Sequence, residues 1–75
     1  MPEKTGKIVG VNGNMLTVEF SAGVSQNEVA YATIGGDRLK SEVIRVRGNR
    51  ADMQVFESAN GLKVGDPVEF TGELL

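Results

Sequence analysis

Seventy-five residues, a mass of 8.0 kDa and a formal charge of −2 describe one small domain, because folding at this size removes only about 60% of the surface that the unfolded chain exposes. There is no Cys and no His, which excludes a disulfide framework, thiolate or imidazole metal ligation and the usual near-neutral acid/base. Acid in excess of base and an aromatic content of 5% argue against a polyanion binder or a base-stacking platform, and apolar runs of a few residues fall far short of the roughly 20 that span a bilayer.

No basic, apolar-cored leader opens the sequence, so the expectation is a soluble, cytoplasmic domain. Ten Gly, two Pro and many β-branched residues without a sustained 3.6 period predict short strands joined by tight turns. The first two strands, 5–11 and 15–20, flank Asn12-Gly13, a pair suited to a type I′ hairpin turn. In the second, Leu16, Val18 and Phe20 share the face expected to point inward. Residues 21–28 mix small and polar side chains without a period and read as a loop, and 29–34 as a third strand ended by Gly35-Gly36-Asp37. A fourth strand, 38–47, changes phase: Leu39 is followed out of step by Ile44 and Val46, with Val43 on the opposite face. A bulge near Ser41 or Glu42 would absorb the slip.

Beyond a second turn at Gly48-Asn49, Ala51, Met53 and Val55 alternate with Asp52 and Gln54 in a fifth strand. Leu62 and Val64, in the turn-rich stretch 61–67, are expected to plug one end of the core. Pro67, which cannot donate to a ladder, should open the sixth strand, 68–71. Six short strands without a helix must cover one another, so the expected fold is all-β, a small six-stranded antiparallel closed β-barrel filling residues 1–75 as a single domain.

Chemistry is sparse. No Walker A loop is present: Ile8 follows Gly6-Lys7, and Gly61-Leu62-Lys63-Val64-Gly65 runs into Asp66 where a Lys is needed. Gly10-Val11-Asn12-Gly13 lies between two strands and reads as a turn. Asp66 and Glu69 are a loose carboxylate pair better read as solvated surface than as a metal site. No catalytic, cofactor-binding or metal residue is expected. The charge distribution says more: residues 38–50 carry +4, residues 51–75 carry −4 and residues 1–37 carry −2. Either this is a complementary surface for a neighbouring subunit, or it is an ordinary solvated face; a nucleic-acid stripe is the weaker reading. The candidate contact residues are Arg45 and Arg47, two positions apart and both outward, with Glu57 and Glu69 as their acidic counterparts.

Several blocks together resemble a known family: Gly6-Lys7-Ile8-Val9-Gly10-Val11-Asn12-Gly13, Val24-Ser25-Gln26-Asn27-Glu28-Val29 and Leu39-Lys40-Ser41-Glu42-Val43-Ile44-Arg45-Val46-Arg47-Gly48. They continue with Met53-Gln54-Val55-Phe56-Glu57-Ser58 and with the run from Gly61 through Gly65-Asp66-Pro67 to Phe70-Thr71-Gly72. In order and spacing they resemble the N-terminal β-barrel domain of the catalytic A subunit (alpha chain) of bacterial V/A-type ATPases and ATP synthases. The noncatalytic B subunit shares the Gln-Val-Phe-Glu and Phe-Thr-Gly patterns, and small barrels of translation factors that bind protein or RNA are a further alternative. Ser41 stands where many family members have Gly.

The resemblance implies that this domain alone is not an enzyme and holds no cofactor. The longer parent subunit would bind Mg-ATP in a nucleotide-binding domain beyond Leu75 and couple ATP hydrolysis or synthesis to proton or sodium transport. It further implies that the barrel joins neighbouring A and B subunits edge to edge in a hexameric ring, peripheral to the cell membrane and without contacting membrane or nucleic acid. The isolated domain is expected to stay mostly monomeric.

Overall fold

The computed structural model describes residues 4–21 and 23–75. Six strands, β1 (Lys4–Asn12), β2 (Met15–Phe20), β3 (Glu28–Ile34), β4 (Asp37–Arg47), β5 (Arg50–Val55) and β6 (Pro67–Leu74), carry the chain, with no helix among the described residues. They close into a barrel in the order β1-β2-β5-β4-β3-β6, every neighbouring pair antiparallel, with β6 returning to β1. The fold class expected from sequence is thus the one observed.

Three hairpins set the registers. Asn12 faces Met15, Ile34 faces Asp37 and Arg47 faces Arg50, so each loop has two residues, and in each the first is a glycine with positive φ: Gly13, Gly35 and Gly48. Only the first central residue is left-handed, which is the type II′ pattern whose twist matches the strands. The first turn is therefore Gly13 and Asn14, not the type I′ Asn12-Gly13 expected, because the pairing of Asn12 with Met15 leaves Asn12 inside β1.

The interior holds Ile8, Leu16, Val18, Phe20, Val43, Met53, Val55, Val68 and Phe70 around the small residues Ala30, Ala32 and Ala51. The alternation in β2 and β5 points inward as expected. Phe20 and Phe70 meet edge to face at 5.8 Å and 72°, a geometry worth about 1 kcal/mol beyond the buried area. Glycine at position 6 is forced by packing: a Cβ there would lie 2.6 Å from the Glu19 carbonyl oxygen and 3.1 Å from the Phe70 ring.

β4 departs from expectation. Its slip lies between Val43 and Arg45, opposite Met53 and Asp52, rather than near Ser41 or Glu42. Ser41 and Val43 are buried, Val46 packs against the core, and Ile44 is the extra residue, 37% exposed. A bulge sets two consecutive residues against one partner, so Ile44 and Arg45 both lie on the outer side. The expected inward Ile44 and outward Val43 are exchanged because the in-phase pairing of Ser41 with Val55 and of Val43 with Met53 fixes the face before the bulge. Leu62 does cap the core, whereas Val64 is 64% exposed. Its turn, residues 63–66, is held at its base by Asp66, which accepts from the Lys63 amide at 3.0 Å, and it docks on β1 through Ile8 and Gly65. β6 opens at Pro67 as expected but runs past Thr71 to Leu74.

This phase assignment predicts opposite outcomes at adjacent positions. Val43→Asp buries an unpaired carboxylate and should cost about 3 kcal/mol or more, a large part of a small domain's 5–15 kcal/mol. Ile44→Asp should cost about 1 kcal/mol or less. Urea unfolding followed by circular dichroism measures both.

Candidate functional site

The outer side chains of β4, β5 and β2 form a charged face. Arg45 sits directly opposite Asp52, and Arg47 reaches the same carboxylate from the other side. The contacts are 3.7 Å from Arg45 Nε to Oδ2 and 3.0 Å from Arg47 Nη2 to Oδ1. Asp52 is the sheltered member, its side chain 18% exposed against 66% and 52% for the two arginines. On the next pair, Arg50 faces Glu19 of β2 at 3.8 Å, and Glu19 in turn faces Lys7 of β1. Strand pleating puts these groups on one surface, because cross-strand neighbours on one face are about 5 Å apart. Two arginines share one aspartate while Arg50 is matched by Glu19, so a surplus positive charge sits at the β4–β5 edge of the face. Towards one end the same face carries Met15, beside Gln54 on the neighbouring strand, and Ile44 and Phe56 continue it.

Glu69 lies elsewhere. It projects from β6, three places from β5 in a ring of six strands and so across the barrel from it. There it accepts from Arg38 Nη2 at 2.7 Å, and the Arg38 guanidinium lies 4.3 Å from the centroid of the Tyr31 ring. Arg38 is thus held by a carboxylate and an aromatic face at once. Glu57 is exposed just beyond β5 and makes no ion pair among the described residues. The structure therefore brings Arg45 and Arg47 together on β4 and sets Glu69 apart from them on β6, beyond the intervening β3. Asp66 and Glu69 are engaged separately, one in its turn and the other with Arg38. Among the described residues no group of three acidic side chains is placed to hold a metal.

Asp52 and the Arg38, Tyr31 and Glu69 cluster escape sequence reasoning, since each depends on which strands are neighbours. A shallow depression of about 460 Å³ near Thr5, Lys7, Phe20 and Asn49 is wide open to solvent.

Comparison with known proteins gives these flanks a setting. Residues 8–72 match the model of the ATP synthase alpha/beta family, beta-barrel domain. The chain belongs to that family. It is 57% identical over all 75 residues to a protein named V-type ATP synthase alpha chain from Treponema denticola, covering 13% of that relative. It is 60% identical over 70 residues, 93% of this chain and 12% of the relative, to the same-named protein of Borreliella afzelii. With V-type ATP synthase alpha chain 1 of Treponema pallidum it shares 55% over all 75 residues, 13% of that relative. The chain therefore spans about an eighth of the length of these relatives. No helix among the described residues is long and apolar enough to cross a membrane.

Asp52 is the shared anion of the face, so Asp52→Asn leaves Arg45, Arg47 and Arg50 to repel one another. The loss should be at most about 1 kcal/mol, as for exposed pairs, and should shrink with added salt. Thermal unfolding at low and high ionic strength measures it.

Proposed function

We propose that this chain is the N-terminal barrel of a V-type ATP synthase alpha chain and that its work is contact between subunits. The observation that carries the reading is 57% identity over all 75 residues to a protein of that name. In this reading the parent subunit binds Mg-ATP in a separate nucleotide-binding domain and couples ATP hydrolysis or synthesis to proton or sodium transport. The barrel itself takes no cofactor. It joins the barrels of neighbouring A and B subunits in a hexameric crown, on the cytoplasmic side and peripheral to the membrane, and alone it stays monomeric at micromolar concentration. Because the relatives are alpha chains, neither a B-subunit barrel nor a translation-factor barrel is favoured.

The geometry supports a contact role. In a closed ring each subunit shows one flank to one neighbour and a different flank to the other, a heterologous arrangement. This barrel carries its surplus cation at β4 and β5 and Glu69 on β6, separated from β4 by β3. One barrel's Arg45 and Arg47, which share the single carboxylate of Asp52 at home, can then face an acidic flank of the next, with Glu57 and Glu69 as candidates.

Reversing both charges, Arg45→Glu with Arg47→Glu, should leave the barrel folded yet weaken assembly of the complete A/B ring, the more so at low salt. Adding Asp52→Lys restores the local ion pairs with inverted signs, so stability should recover while assembly stays weak. Native mass spectrometry of the reconstituted ring, beside circular dichroism of the domain, separates the two effects. Ring assembly by the double variant at wild-type concentration and ionic strength would return these arginines to plain solvated surface.

A further inference from the structure

We propose that residues 71–75 form a separable strap, latched onto the barrel by the buried carboxylate of Glu28. Among the described residues β6 is bound on both sides up to Phe70, with Val68 opposite Gly6 and Ala32 and Phe70 opposite Lys4 and Ala30. The register on the β3 side then breaks: the next matched residues are Glu28 and Leu74, so residues 71–73 stand against Val29 alone. Phe70 is also the last buried residue, and residues 71–75 are exposed throughout. The strap adds almost nothing to the core.

Side chains and turn atoms hold it instead. The Glu28 side chain accepts from the Gly72 amide at Oε2, 2.6 Å, and from the Ser25 amide at Oε1, 2.9 Å. The Thr71 hydroxyl donates to the Val29 carbonyl at 2.7 Å and accepts from the Glu73 amide at 3.1 Å. The Leu75 amide donates to the Asn27 carbonyl at 2.9 Å. The receiving turn, residues 25–28, closes by the Glu28 amide donating to the Ser25 carbonyl, with Asn27 at φ 72° in the third position, as in a type II turn. The turn is in turn tied to β4 by the Asn27 amide donating to the Val43 carbonyl.

Glu28 is 1% exposed, unusual for a carboxylate, and its side chain ties the turn at Ser25 to the strap at Gly72 across the break in the β3–β6 ladder. Bonds to a charged acceptor are stronger than neutral ones, so this carboxylate is the main fastening. When the strap lifts, the Gly72 amide and the carboxylate both meet water, while the ladder up to Phe70 stays paired. The latch can therefore open without opening the barrel. Where the chain continues into a longer subunit, which rests on the function proposed above, the latch fixes the angle at which it leaves the barrel.

Amide hydrogen exchange on the 75-residue chain tests the latch independently of any ring. In the wild type, Gly72, Glu73 and Leu75 should exchange at least about tenfold faster than Met53 and Val68, through local opening. Exchange of both groups at one common rate would overturn the proposal. Glu28→Gln keeps the size but can accept only one of the two amides, so the ratio of Gly72 to Met53 exchange should rise about tenfold or more. An unchanged ratio means that Glu28 merely stabilises the whole barrel and contradicts the latch. If Glu28→Gln does not fold, Thr71→Val decides: it removes the second fastening from an exposed position, and the ratio of Leu75 to Met53 exchange must rise for the proposal to stand.

Discussion

Closure of six short strands around a single narrow core is the constraint on which the rest depends. A ring this tight leaves little room inside, and the chain meets the limit by including the small residues Ala30, Ala32 and Ala51 among its larger buried side chains. Closure also needs local bends, and the breaks in register at Val9, at the end of β3 and at Ile44 supply them. In exchange every strand has a paired neighbour on each side among the described residues, which leaves little strand edge to pair with another chain. The outer face is accordingly a mosaic of cross-strand ion pairs with a few apolar residues at one end.

What could be read from the sequence follows from this constraint. In β2 and β5 polar residues alternate with apolar ones, so each strand declares its inward face by itself. β4 does not: Val43, Ile44 and Val46 are all apolar, and only the pairing with β5 decides which one stands outside. The Asn-Gly-Asn stretch can turn at either pair, and the register of Asn12 against Met15 makes the choice. Val64 is as apolar as Leu62, yet the turn built by Asp66 directs it to solvent. The charge run over residues 38–50 was visible, but its local partners were not, because Asp52 and Glu19 become neighbours of these arginines only through strand order. Glu28 looks like any polar loop residue until the break in the β3–β6 ladder gives its carboxylate two amides to hold.

These two kinds of charge have different consequences. The exposed pairs on the flanks lie in high dielectric, where each contributes little to stability, so their arrangement is free to serve contact with another surface. Glu28 is enclosed, and its bonds matter more to the shape of the molecule. It defines where the cooperative barrel ends and the more loosely held strap begins. A barrel with charged flanks and one adjustable end is what the contact role proposed above would use.

Closure itself can be measured directly by nuclear Overhauser contacts across the two seams that complete the ring. A closed barrel gives close Hα or amide contacts between Gly6 and Val68, and between Ala32 and Val68, together with the hairpin contacts, in the 75-residue chain in solution. A spectrum with every hairpin contact present but the contacts of β6 with either β1 or β3 missing would show an open sheet and contradict the account.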